Sequence, residues 1–284
     1  MKNIIHIGYP KTATTSMQKK LFPNLEGWKY LDSSLDPSGK INIAKTFGNK
    51  NILLSNERVL GIKYYYYPNQ RILNESVQQL NGEKILMVSI RSQISILKSI
   101  FSFYYGFFKK KGYKDINKMV KQEISEDGIT KVKKWLNYKN TIEEIYQQVG
   151  FDRVKIIKYE DLRFNRNKFY DDISSLTGTQ VEKVRNIMNS SVNYNVQPKK
   201  DGKHTKPSSV YKYMSFFKSR YLSKMKPLGA YPFGDTVKRA LSFFNKELTM
   251  TDKSISIINA AYENPNRKLF EKYDLEDPSR YPIA

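Results

Sequence analysis

Cysteine is absent from the 284 residues, and histidine occurs only twice, at His6 and His204. The first absence excludes disulfides, zinc–thiolate sites and thiol nucleophiles. The second argues against a metal held by several imidazoles, and no metal is expected. Acidic residues are scarce beside basic ones, 27 Asp and Glu against 49 Lys and Arg, leaving a formal net charge of +22. That excess favours polyanionic partners: nucleic acid, anionic lipid, anionic polysaccharide or a multiply phosphorylated nucleotide. The chain is rich in Lys, Asn and Ile throughout, so part of the excess is compositional. No apolar run approaches the roughly 18 residues that span a bilayer. The longest, 94–108, is broken by Lys98 and several serines. A leader peptide is not expected, because its removal would take the glycine-containing loop near the start of the chain with it. The expectation is a soluble chain in a reducing compartment, the cytoplasm.

What is present is a globular balance, 39% hydrophobic and 27% charged, in a length that suits one large α/β domain. Residues 4–16 read Ile-Ile-His-Ile-Gly-Tyr-Pro-Lys-Thr-Ala-Thr-Thr-Ser. A short apolar run reaches Gly8, a polar turn follows, and residues 17–22 are compatible with a helix. Strand, loop, helix in that order directs backbone N–H groups and a helix dipole at one place, which suits an anion. A Walker loop would read G-x-x-x-x-G-K-[ST]. Counted from Gly8, its second glycine falls on Ala13, its lysine on Thr14 and its hydroxyl on Thr15. The lysine stands inside the turn instead, at Lys11, so an ordinary nucleoside triphosphate site is disfavoured.

Further along, 51–54, 84–90 and 154–158 read as buried strands, alternating with helices over 69–80, from Arg91 to about 105, over 131–149 and from 162 to 176. Alternation of this kind predicts an α/β fold: a P-loop-type central parallel β-sheet flanked by helices, with ligands beyond the carboxyl ends of the strands. Lys11, Glu57 and Arg91 each follow a strand and should converge there. Ser92, Ser95 and Ser99 share one helical face. Residues 27–50 show no clear periodicity. Beyond residue 190 the strand signal fades, and helices are expected at 208–226, 235–248 and 252–273, the last kinked or split by Pro265. No repeat or linker is evident, so 1–284 is read as a single domain with a helical C-terminal part. The basic loop around Lys199, Lys200, Lys203, His204 and Lys206 can grip a phosphate or an anionic acceptor. The tyrosines at 64–67 can stack on sugar rings.

The segment Pro10, Lys11, Thr12, Ala13, Thr14, Thr15, Ser16 resembles the 5′-phosphosulfate loop of sulfotransferases that use PAPS (3′-phosphoadenosine 5′-phosphosulfate). Many members have glycine where this chain has Ala13. Arg91 after a strand, with Ser99 eight residues later, resembles the 3′-phosphate site of the same family. Tyr159-Glu160-Asp161-Leu162 and the run from Asn264 to Lys268 are softer likenesses, so the resemblance spans most of the chain. It implies sulfuryl transfer from PAPS, with PAP as product, to a hydroxyl or amine. The implied branch is of the bacterial carbohydrate or heparan type, in which a glutamate, here Glu57, takes the acceptor's proton; His204 is the rival base. It implies that Lys11 neutralises charge on the leaving oxygens; from their place in the basic loop, Lys199 and Lys203 are candidates for nucleotide binding. The acceptor would be a carbohydrate, a glycolipid or a small hydroxylated molecule, with no obligate nucleic acid. Two other readings stay open: a P-loop kinase-like phosphotransferase with a degenerate loop, and a non-enzymatic polyanion binder.

Overall fold

Strands apolar on both faces can be stable only inside a sheet covered from both sides, and that is where this chain puts them. The computed structural model describes residues 1–32, 50–56, 60, 73, 77–78, 80–125, 130–190 and 248–282. Five strands form one parallel sheet: β1 (Lys2–Gly8), β2 (Trp28–Asp32), β3 (Asn51–Ser55), β4 (Glu83–Ile90) and β5 (Arg153–Lys158), in the order β2-β3-β1-β4-β5. The chain places β2 and β3 on one side of β1 and β4 and β5 on the other. The carboxyl end of β1 is therefore the switch point of the sheet, the place where parallel α/β folds open a crevice.

Side chains alternate across β1. Ile4 packs with Leu53, Ile85, Met87 and Ile157 in a core that also holds Met17, Leu21, Phe22, Phe169 and Ile173. Ile5, Ile7 and Tyr9 point the other way and are fully buried. Burying each large aliphatic side chain contributes about 1.5–3 kcal/mol, which outweighs the weak local preferences of such short strands.

The four strands expected at 4–7, 51–54, 84–90 and 154–158 are present, and the architecture is the expected one: a central parallel sheet flanked by helices, with a helical C-terminal region. Helices α1 (Thr14–Ser16), α2 (Gln93–Phe103), α3 (Tyr105–Lys110), α4 (Ile116–Ile124), α5 (Lys131–Trp135), α6 (Tyr138–Val149), α7 (Tyr159–Phe164), α8 (Arg166–Thr177), α9 (Val181–Asn189) and α10 (Asp252–Lys272) complete the described part. Apart from Asn189 and Ser190, the described residues belong to a compact unit of Met1–Met188 with Glu247–Ala284; a second unit, Asn189–Lys246, lies outside the described residues but for its first two.

Three differences from the sequence reading have clear causes. β2 was not expected, because Trp-Lys-Tyr-Leu-Asp is too short to show a period; it is an edge strand with Lys29 exposed, a device that discourages further strand pairing. The single helix expected over 131–149 is two, because Asn137 accepts a hydrogen bond from the Asn140 N–H (3.2 Å) and starts a new helix there. Pro265 does not split α10. Buried Tyr262 and Asn266 anchor the helix on both sides of the proline: Tyr262 donates to the Lys133 carbonyl (3.2 Å), and Asn266 donates to the Pro282 carbonyl (3.1 Å). α4 and α9 had no counterpart in the sequence reading. The helices expected at 69–80, 208–226 and 235–248 fall mostly outside the described residues.

Candidate functional site

The loop that leaves β1 at the switch point is held in a tight, unusual shape. Lys11 and Ala13 have positive φ angles of 70° and 62°, the left-handed region that an L side chain enters at a cost of roughly 1–2 kcal/mol. This explains the preference for glycine at the position of Ala13 in the family the loop resembles. Thr12 is buried, and its hydroxyl donates to the Tyr9 carbonyl (2.6 Å), pinning the turn from inside. The Ala13 carbonyl accepts from both Ser16 N–H (2.9 Å) and Met17 N–H (3.1 Å), which starts the helical turns of Thr14–Asn24. Those turns are α, then π over Met17–Leu21, then 3-10 over Phe22–Asn24. Gly8 is required by close approach: a Cβ there would lie 2.1 Å from Thr14 Cγ2. Thr14 is consequently buried, whereas Thr15 and Ser16 face solvent. Pro10 and Lys11 are half-buried.

Two cations meet at this loop. Arg91, at the exit of β4, donates from its terminal nitrogen to the Lys11 carbonyl (2.9 Å). Its guanidinium lies over the Tyr159 ring at 4.4 Å, and Tyr138 donates its hydroxyl to the Arg91 carbonyl. Arg91 Nε is buried and has no hydrogen-bond partner among the described residues. An orphaned donor on a buried charged group costs about 1–3 kcal/mol or more, which an anion at that position would recover. The Lys11 ammonium lies 4.0 Å from the centroid of the Phe103 ring, and that ring is 45% exposed. Lys11 and Arg91 are therefore brought together as expected. Ser99 is half-buried on α2, and no hydrogen bond links it to Arg91 or the loop among the described residues.

The floor of the site is polar. His6, in mid-β1, is fully buried, with Nδ1 2.7 Å from Ser55 Oγ on β3 and Nε2 2.8 Å from Ser89 Oγ on β4. Burial holds its pKa at about 3, so the ring is neutral at physiological pH. Both ring nitrogens are engaged within the sheet. At the exit of β3, the Asn56 N–H donates to the His6 carbonyl (2.8 Å). Glu57 follows it in the chain and lies outside the described residues, as do Lys199, Lys200, Lys203, His204, Lys206 and the tyrosines at 64–67.

Glu160, at the exit of β5, is buried and satisfied: it accepts from the Ser92 N–H (3.0 Å) at the start of α2 and from the Tyr281 hydroxyl (2.7 Å). The sequence reading gave this segment only as a softer likeness to the family. It gave no sign of Tyr159 beneath Arg91 or of Phe103 beside Lys11; both depend on contacts between residues far apart in the chain. No group of three His, Cys, Asp or Glu side chains able to hold a metal occurs among the described residues, and no helix among them is long and apolar enough to cross a membrane.

Fold and site together define a parallel α/β protein with a glycine-led cationic loop at its switch point. No protein-family model matches the chain, and no curated protein matches it. Among solved structures it is similar to the mouse sulfotransferase SULT7A1 complexed with PAP, at 15% identity and a TM-score of 0.45, covering 92% of this chain and 88% of that one. It is also similar to a sulfotransferase from Alicyclobacillus acidocaldarius, at 10% identity and a TM-score of 0.42, covering 77% of this chain and 92% of that one.

Proposed function

We propose that this chain is a sulfotransferase that moves a sulfuryl group from PAPS to a hydroxyl or amine of an acceptor, a carbohydrate or glycoconjugate. The observation that carries the reading is Arg91: bonded through one arm to the Lys11 carbonyl, it keeps a buried Nε–H with no acceptor among the described residues, beside a loop whose backbone is already turned at Lys11 and Ala13. A planar guanidinium in that state fits a phosphate. The order of residues from Pro10 to Ser16, followed by Arg91 and Ser99, supports a nucleotide carrying phosphates at both ends of its ribose.

In this reading the loop amides with Thr14, Thr15 and Ser16 hold the 5′-phosphate, and Arg91 with Ser99 holds the 3′-phosphate. Lys199 and Lys203 add charge at the nucleotide. PAPS supplies the sulfuryl group when bound. Lys11 balances negative charge on the leaving oxygens, the kind of electrostatic contact that dominates group transfer. Glu57 accepts the proton of the acceptor's attacking hydroxyl or amine. The carbohydrate class of the acceptor rests on the chain's positive excess and its tyrosines.

Calorimetry with PAP tests the nucleotide site. Binding without magnesium, weakened by roughly tenfold or more in Arg91→Lys through loss of the planar fork, is the expected result; magnesium-dependent ATP binding in its place favours a phosphotransferase. Incubation with sulfur-labelled PAPS and a panel of glycans, glycolipids and phenols then identifies the acceptor by the product that carries label.

A further inference from the structure

We infer that His6 is the positioning residue of this site: its ring locks the ends of β3 and β4 to β1 beneath the loop and so sets where Lys11 and Arg91 meet. The neighbouring positions on the same sheet face, Ile4 and Met87, are apolar members of the core. An aliphatic side chain at position 6 would fill the space with no polar group to satisfy. The chain instead spends three buried polar side chains there, Ser55, His6 and Ser89, and aligns all of them.

Each bond of the network reaches a different wall of the site. Nδ1 meets Ser55 Oγ at 2.7 Å, one residue before Asn56 and the exit of β3. Nε2 meets Ser89 Oγ at 2.8 Å, two residues before Arg91. Ser55 Oγ also accepts from Gln18 Nε2 (2.9 Å) in the helical turns that leave the loop. The Ser89 carbonyl accepts from the Tyr9 N–H (3.1 Å), where the loop begins. Phe22 stands edge-on to the imidazole at 5.1 Å, and His6 Cε1 lies 3.4 Å from where a Cβ on Gly8 would sit. A neutral imidazole carries one donor and one acceptor, and each serine hydroxyl can play either part, so both tautomers are satisfied. Apolar contacts between strands tolerate small sliding, whereas directional bonds in a dry interior do not. One ring thus joins the central strand to both neighbours and, through Ser55, to the helix behind the loop.

This role goes beyond the proposed activity and does not depend on which anion the loop holds. Four variants test it: Ser89→Ala, Ser55→Ala, His6→Leu and His6→Gln. Two measurements are made on each: amide hydrogen exchange over a peptide spanning residues 8–16, and PAP affinity by calorimetry. Loss of one buried hydrogen bond is expected to speed loop exchange about five- to tenfold and to weaken PAP by a similar factor. His6→Gln, which keeps one donor and one acceptor, should fall between His6→Leu and the unaltered chain. Should His6→Leu not fold, Ser89→Ala, a change of one hydroxyl, carries the test. Loop exchange unchanged in the folded variants, whatever their melting temperatures, would overturn the role and reduce His6 to packing. An unaltered chain that binds no PAP would overturn the nucleotide reading alone, because the exchange measurement needs no ligand.

Discussion

The exits of β1 and β5 lie at the same edge of the sheet, and both carry charged residues, but they treat that charge in opposite ways. At the exit of β5 the charges are enclosed. Lys158 is 4% exposed, donates to the Glu276 carbonyl, and stands 3.5 Å from Asp161; Glu160 has both its oxygens occupied. Burial pushes the Asp161 carboxyl up, and the Lys158 ammonium beside it opposes that shift. At the exit of β1 the backbone is held in left-handed turns, Lys11 rests on an exposed aromatic ring, and Arg91 arrives from β4 with a donor unmatched among the described residues. Charge that is fully partnered belongs to the architecture. Charge held in place by strain and left with an unmet donor marks where a ligand belongs.

The largest separation between the two regions should come from removing one lysine at each. Lys158→Met leaves Asp161 without its cation in the interior and is expected to cost about 3–5 kcal/mol of stability, measured by denaturant unfolding. Lys11→Ala should leave the unfolding midpoint nearly unchanged while turnover with PAPS falls roughly 100- to 1000-fold. If Lys11→Ala instead melts early and turns over normally, the contrast is reversed.

Acid probes the floor beneath the loop. The His6 pKa is lowered to about 3 in the folded chain from an ordinary 6.5, so below 6.5 the unfolded state takes up the proton that the folded state refuses. Stability from this residue is complete above pH 6.5 and declines as pH falls toward 3, by up to about 1.4 kcal/mol per unit. Unfolding curves at stepped pH should show that slope, and His6→Gln should flatten it.

The smallest effect should be at Ala13. Replacing it with glycine removes the left-handed penalty but adds chain entropy to the unfolded state, for a net gain of about 0.5–1 kcal/mol. A loss of stability in Ala13→Gly would mean that the loop is not strained at this position.

The parts of the fold legible in the sequence were those written in local pattern. Short runs rich in apolar residues marked β1, β3, β4 and β5, and Gly8 with the polar residues after it marked the loop. β2 was not legible, since a five-residue edge strand carries too little periodicity, and the break at Asn137 was hidden in a helical pattern that a cap overrides. Pro265 sits inside α10 without splitting it, because tertiary anchors at Tyr262 and Asn266 outweigh one lost backbone bond. At the site, Lys11 and Arg91 could be named from their places after strands. That Arg91 binds the Lys11 carbonyl, with Tyr159 beneath it, could not, because those contacts join residues about 70 to 80 positions apart.

The order of residues along the chain thus determined which strands are buried, that they run parallel, and that a glycine-led cationic turn follows the first of them. All of this follows from side-chain periodicity and from the few turns that backbone sterics allow. Only the folded sheet decided which charges are sealed and which are presented, since whether a cation finds a partner depends on neighbours that the sheet order β2-β3-β1-β4-β5 brings alongside it.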